Sequence, residues 1–157
     1  MIKSLKALLD EWEDTRALTL SFINDLSEED FNKKLPRKKL NTISWQVYEL
    51  TMAQRGFVDS FTTETVKFDD DLMFLESIPK QAILERMAKL DAKLEESLEL
   101  MDGTEVVSSW GDRENVHKMM AAMISHESMH IGQIIAFCYA TGIEIPEKVV
   151  DFLLLEG

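Results

Sequence analysis

The sequence predicts an all-α protein, a four-helix bundle with a short C-terminal capping helix. Four long segments carry apolar residues at the three- and four-residue spacing of an amphipathic helix. Capping residues, Pro or Gly lie between these segments, where helices begin and end. The only hint of β structure, Glu105-Val106-Val107, is too short to matter. At 157 residues the chain can build one domain with a core but not two, so residues 1–157 are expected to form a single domain.

Composition and charge exclude several classes of partner. The formal net charge of -12 argues against nucleic acid and anionic membrane surfaces, which select positively charged proteins. The single cysteine, Cys138, excludes an internal disulfide framework and suits a reducing compartment. Its place beside Ile134 and Ile135 is more typical of a small core residue than of a nucleophile. Neither a signal-peptide pattern nor an apolar run of membrane length is present, so we expect a cytoplasmic protein.

The first amphipathic helix is predicted over residues 2–26. Its stripe consists of Ile2, Leu5, Leu9, Trp12, Arg16, Thr19, Ile23 and Leu26. Ser27 follows with an acidic first turn, which is typical of a new helix N-terminus. We expect a short helical segment there that ends before Pro36.

The second long helix should begin near Asn41-Thr42-Ile43-Ser44 and end at about Phe61. One stripe is apolar and consists of Ile43, Val47, Leu50, Phe57 and Phe61. A second stripe, formed by Trp45, Glu49, Met52 and Gly56, places a carboxylate between large apolar residues. A lone Glu on a helix is usually solvated. Because Glu49 has apolar neighbours on both sides, an inward position is equally consistent, and there it would need a cation or a hydrogen-bond donor.

Residues 62–78 are acidic and poorly periodic. Asp69-Asp70-Asp71 could cap a short helix over residues 72–75, and the run lacks the glycine and closing glutamate of an EF-hand calcium loop. A connection of this length can cross the bundle and allow the second and third long helices to run parallel.

The third long helix should start around Pro79 and stop at Asp102-Gly103, followed by a connector over residues 104–114. The fourth should end at Thr141-Gly142. After Pro146, residues 147–155 are predicted to form the capping helix. The residues expected to cover one end of the bundle are Val149, Phe152 and Leu153.

The fourth long helix carries the residues best suited to bind a metal ion. Its stripe consists of Val116, Met119, Met123, His126, His130, Gln133, Phe137 and Ala140. His126 and His130 are four residues apart, which places both imidazoles on one face about 6 Å apart along the axis. That spacing lets two side chains bind one metal ion. The alternative is a pair of core histidines with buried hydrogen bonds, and two imidazoles on an inward stripe would be costly to bury without a shared partner.

Residues 126–130 also spell H-E-x-x-H, the zinc protease motif. In that mechanism Glu127 would act as general base. The hypothesis is weak because no strand is predicted for an extended peptide. A third ligand would also have to come from the downstream glutamates, which are Glu144, Glu147 and Glu156.

Three segments resemble the DinB/YfiT-like superfamily: residues 45–49, residues 126–133 with their H-x-x-x-H-x-G-Q run, and residues 142–146. The resemblance extends over essentially the whole chain. It implies an up-down-down-up four-helix bundle, often a homodimer, with one divalent metal, zinc or nickel, near one end. It also implies a small-molecule substrate, and activity as a thiol transferase using a low-molecular-weight thiol or as a metal-dependent hydrolase.

The resemblance also implies the ligands. His126 and His130 match the two family ligands of the fourth long helix. The third family ligand is a histidine four residues after the helix-two tryptophan, and this chain has Glu49 there. Two histidines and one carboxylate form an open set for Zn or Fe(II) that leaves room for water or a thiolate. A degenerate site in a non-catalytic bundle that acts by association is the alternative. His117 is too far around the helix to contribute, and Gln133 could orient a ligand or bond across the bundle.

Overall fold

A computed structural model describes residues 1–34, 41–68, 78–109 and 111–155 of the chain. These residues form six helices and one β-hairpin. The elements are α1 (Lys3–Asp25), α2 (Glu28–Phe31), α3 (Ile43–Thr63), α4 (Lys80–Glu99), β1 (Val106–Ser109), β2 (Asp112–Asn115), α5 (Val116–Thr141) and α6 (Glu147–Leu153). The predicted all-α class is confirmed, with four long helices at the positions that the periodicity indicated.

The four long helices form a bundle in which α1 and α3 are each flanked by α4 and α5. One apolar cluster combines the C-terminal halves of α1 and α5 with the N-terminal halves of α3 and α4. A second cluster combines the four opposite halves. Therefore α1 and α5 run in one direction and α3 and α4 in the other, the expected up-down-down-up order. The C-terminus of α3 and the N-terminus of α4 therefore lie at opposite ends of the bundle. The predicted cap at Asp69-Asp70-Asp71 lies outside the described residues.

Helix ends follow the predicted capping chemistry. The Ser27 hydroxyl accepts a hydrogen bond from the Asp30 amide, and α2 follows it. The Thr42 hydroxyl accepts from the amide of Trp45 at the start of α3. Gly142 ends α5 with φ of 68°, a left-handed conformation in which glycine avoids the steric cost of a Cβ. These boundaries were predictable because each depends on the residue at the helix end itself, a capping hydroxyl at Ser27 and Thr42 and a glycine at position 142.

The β-hairpin was not predicted. The expectation of a connector without β structure over residues 104–114 is wrong, because β1 and β2 pair antiparallel through Ser109 and Asp112. The amide of Ser108 also donates to the carbonyl of Glu64 (2.8 Å), and the carbonyl of Ser108 accepts from the amide of Val66 (2.9 Å). The sequence of β2, DREN, carries no strand signal. Its conformation depends on tertiary pairing with β1 rather than on local preference.

The C-terminal helix covers the bundle less fully than predicted. Val149 is fully buried, as expected, but Phe152 is 57% exposed and Leu153 is 39% exposed. The helix ends at Leu153, and Leu154 takes a left-handed conformation. Because α6 is only seven residues long, it buries one turn against the bundle and leaves the next outside.

Two further sequence predictions concern membrane-spanning helices and the single cysteine. None of the described helices is long and apolar enough to cross a lipid bilayer. Cys138 is fully buried in the core, and burial raises the pKa of its thiol to about 11, with Asp30 acting in the same direction. A thiol with that pKa stays protonated at neutral pH, so Cys138 acts as a core residue rather than as a nucleophile.

Candidate metal centre

Three side chains predicted as ligands converge between α3 and α5. Glu49, His126 and His130 each offer one ligand atom, and these atoms lie within 4.8 Å of one another. The two imidazole centroids are 4.7 Å apart with the rings inclined at 71°, as side chains one helical turn apart allow. Ligand atoms that share a tetrahedral zinc are about 3.5 Å apart, so a small side-chain adjustment would bring this set together around one ion.

The burial of His130 tests whether this cluster fits a metal. The side chain is 3% exposed, and neither ring nitrogen has a hydrogen-bond partner among the described residues. A buried polar atom without a partner costs about 1–3 kcal/mol, so packing alone does not explain a histidine here. An ion bound to one nitrogen would satisfy an otherwise unpartnered acceptor. The donor set therefore fits a divalent metal.

Electrostatics keep both imidazoles neutral. Burial lowers the pKa of His126, and the carboxylate of Glu49 acts in the opposite direction. Burial and, to a lesser degree, the neighbouring His126 lower the pKa of His130 to about 4. A neutral imidazole carries the free lone pair that metal binding requires, so neither ligand has to lose a proton near neutral pH.

Glu127 faces α1 and is bound there. It is 2% exposed. Its Oε1 accepts a hydrogen bond from Oγ1 of Thr19 (2.7 Å), and its Oε2 lies 3.1 Å from Nη2 of Arg16. Burial raises the pKa of the Glu127 carboxyl, while Arg16 and Thr19 counteract that shift. Because both oxygens are engaged, Glu127 is poorly placed to serve as the general base of a zinc protease.

Arg16 links side chains on four helices. The sequence placed it on the stripe of the first long helix but did not reveal this role. Its Nη2 also donates to Oε1 of Gln54 (2.9 Å), and Nε2 of Gln54 donates to Oδ1 of Asp91 (2.8 Å). The guanidinium lies 4.6 Å from the ring centre of Trp12. A signal for this network was present, since an arginine on an inward stripe requires a carboxylate partner.

Two other polar residues of α5, Gln133 and His117, differ in whether the structure places them as predicted. Gln133 is exposed, as is Ala140, so the predicted inward stripe is wrong at both positions. The core face of α5 is rotated toward Met120, Glu127, Ile131 and Ile134, which are all buried. His117 lies outside the cluster, as predicted, and its Nε2 is 2.8 Å from Oγ of Ser4.

The cluster is reached through open cavities. One, of about 260 Å³, is lined by Met52, Ala53, Phe57 and Phe68 together with Glu49 and His126. A second, of about 300 Å³, lies on the other side of Glu49 and includes Asn41, Gln46 and Gln133. A small molecule could therefore approach the candidate ligands from two sides.

The architecture and the cluster together define an all-α bundle protein with a candidate divalent-metal centre at the interface of two helices. A family model for the DinB superfamily matches residues 11–134, which include all three candidate ligands. The chain belongs to the DinB superfamily. No curated protein matches it.

Proposed function

We propose that this protein is a metal-dependent enzyme that acts on a small molecule with a divalent ion held by Glu49, His126 and His130. The observation that carries the proposal is the buried His130, whose two ring nitrogens have no partner among the described residues. Two imidazoles and one carboxylate suit zinc or nickel, and Fe(II) is compatible with the same set. The single negative charge of the set leaves the bound ion electropositive.

Such an ion would supply Lewis-acid activation of a water molecule or of a thiol. His130 anchors the site because its ring is enclosed by the bundle, while His126 and Glu49 line the cavity that a substrate can enter. Phe57 and Phe68 form apolar walls of that cavity and offer apolar surface to a substrate beside the candidate ligands.

Transfer of a low-molecular-weight thiol and hydrolysis are the two reaction types that we propose, on the basis of the family. The chain does not supply the thiol itself. Cys138 is its single cysteine, and it is fully buried with a pKa of about 11. A thiol transferase of this sequence must therefore take its nucleophile from solution, and the open cavities beside Glu49 provide room for one.

Metal content tests this proposal directly. Tag-free wild-type protein should contain close to one equivalent of zinc or nickel by elemental mass spectrometry. His126→Ala and Glu49→Ala should lose it, because each removes one of three ligands. His117→Ala is the matched control, since this histidine bonds to Ser4 outside the cluster, and it should keep the metal.

Two results would contradict the proposal. Wild-type protein that stays metal-free after reconstitution would make the bundle a non-catalytic protein that acts by association. Full metal occupancy in Glu49→Ala would remove Glu49 from the ligand set. If metal is bound, thiol acceptors and esters are the substrates to screen first.

A further inference from the structure

The two cavities beside the candidate metal centre differ in chemical character. Glu49 lines both of them. The first, which we call the apolar chamber, adds Met52, Ala53, Phe57, Phe68 and His126. The second, which we call the amide chamber, contains the side-chain amides of Asn41, Gln46 and Gln133, and Ala136, Phe137 and Ala140 complete its lining. The candidate metal centre therefore lies between a cavity without amide side chains and one that adds three amides to an apolar lining.

The apolar chamber is built by a close approach of the chain to α3. A Cβ at Gly56 would lie 2.6 Å from the carbonyl oxygen of Lys67 and 2.7 Å from the ring of Phe68. Only glycine allows this contact, which brings Phe68 onto the helix. The Phe68 ring then meets Phe57 edge to face, with centroids 5.8 Å apart at 81°. Phe68 remains 46% exposed, so its ring offers apolar surface to a ligand.

The amide chamber contains a buried acceptor with no partner. Gln46 is 6% exposed and lines this chamber, and its Oε1 has no hydrogen-bond partner among the described residues. A ligand that brings a hydrogen-bond donor to the Gln46 side chain would satisfy this acceptor. An amine, amide N–H or hydroxyl group has the required chemistry.

The spacing of the two chambers sets the length of the ligand. Gln46 and Ala53 are seven residues apart on α3, and Gln133 and His126 are seven apart on the antiparallel α5. Seven residues of helix span about 10 Å. Glu49 lies between Gln46 and Ala53, so the candidate metal centre is near the middle of that distance.

We propose that the site takes an elongated amphipathic small molecule about 10 Å long. Its apolar group lies against Phe57 and Phe68, its hydrogen-bond donor meets Oε1 of Gln46, and its reacting group lies between them beside Glu49. The position of the reacting group rests on the proposed function. The two binding chambers do not require a metal.

The first experiment uses metal-stripped protein, so that it is independent of the proposed function. The probe is 4-phenylbutan-1-ol, which carries an aromatic ring and a hydroxyl donor at opposite ends. In protein labelled with methyl-¹³C methionine, the Met52 signal should shift saturably, and the signal of the exposed Met129 should not. Phe68→Ala should weaken binding at least tenfold, whereas Phe152→Ala, at a comparably exposed ring outside the chamber, should not change it. Gln46→Met should weaken binding several-fold because it keeps the volume and removes the acceptor.

The second experiment uses zinc-loaded protein and calorimetry. 3-Phenylpropanohydroxamate should bind at least tenfold more tightly than acetohydroxamate, and Phe68→Ala should remove that difference while zinc stoichiometry stays the same. An unmoved Met52 signal in the first experiment would overturn the proposal, as would equal affinity in Gln46→Met. A protein that binds the phenylbutanol but no zinc would refute the proposed function and leave the two-chamber assignment standing. Equal affinity for both hydroxamates would show that the apolar chamber does not adjoin the metal.

Discussion

The buried ion pair between Arg16 and Glu127 allows a quantitative prediction about stability. The side chains are 4% and 3% exposed, with Nη2 and Oε2 3.1 Å apart. Water therefore screens them little. We consider the substitution Arg16→Met, which keeps most of the aliphatic volume and leaves the Glu127 carboxylate with Thr19 and Trp12 as hydrogen-bond donors.

The magnitude follows from the separation and the burial. At 3.1 Å and an effective dielectric constant of about 20, the attraction is about 5 kcal/mol. Removing one partner of a buried pair typically costs about 3–5 kcal/mol, because the remaining charge stays desolvated. We expect Arg16→Met to lower the free energy of unfolding by about 3–4 kcal/mol. Asp91 contributes less because its side chain is 28% exposed and keeps its bond to Gln54.

The loss should also depend on pH. Burial already raises the pKa of Glu127, and without Arg16 the pKa rises further. The folded variant then binds a proton that the unfolded chain has lost, so its stability falls as pH rises from the unfolded pKa to the folded pKa. The variant should accordingly be less destabilised at pH 5 than at pH 8.

Urea unfolding followed by circular dichroism in the presence of EDTA measures both effects. Arg55→Met is the matched control, because its pair with Asp59 is 3.5 Å long with side chains 35% and 39% exposed, and it should cost less than about 1 kcal/mol. The double variant Arg16→Met/Glu127→Leu should recover most of the loss. A cost for Arg16→Met as small as that of the control would refute the buried pair, and a double variant no more stable than the single one would show that the two residues are not coupled.

Three further predictions concern His130, Cys138 and the oligomeric state. In metal-stripped protein, His130 has a pKa of about 4 against an ordinary 6.5. As pH falls, the unfolded chain therefore binds the proton before the folded protein does. The free energy of unfolding, measured by urea titration, should fall by up to about 3 kcal/mol between pH 6.5 and pH 4. An equal fall in a His130→Leu variant would contradict this prediction. Cys138 should react with a thiol reagent at pH 8 only after unfolding, and a rate in the folded protein equal to that in urea would disprove its burial. We also propose a homodimer that uses the exposed Leu153 and Leu154. Sedimentation should find wild type as a dimer and Leu154→Ser as a weaker dimer, and a monomeric wild type would exclude the proposal.

Local chemistry made most of the fold predictable. The long helices followed from periodicity, and their ends followed from nearby caps such as Thr42 and Gly142, because these signals depend on residues within one turn. The pairing of His126 with His130 followed in the same way from helical geometry. Glu49 was open to two interpretations from the pattern alone, and the apolar residues around it were the only local indication that it could face inward.

Other features required the packed structure. The DREN segment pairs as a strand because β1 lies beside it, and Gln133 is exposed because the core face of α5 is rotated by its contacts with α1 and α3. The H-E-x-x-H motif is a local match whose glutamate is bound by Arg16, 111 residues away in the chain. A motif defines residue types and spacing, whereas the partner of each side chain depends on the neighbouring helices.

The sequence by itself determined the all-α class, the helix ends at Ser27, Thr42 and Gly142 and the two histidines of the candidate site, since a helix places residues four apart on one face whatever surrounds it. Only the tertiary structure brought Glu49 within 4.8 Å of those histidines, left the nitrogens of His130 without a partner and bound Glu127 to Arg16. It also separated an apolar chamber from an amide chamber on either side of Glu49. The physical reason is that burial and long-range pairing arise when helices distant in sequence pack together, and no local spacing encodes which faces will meet.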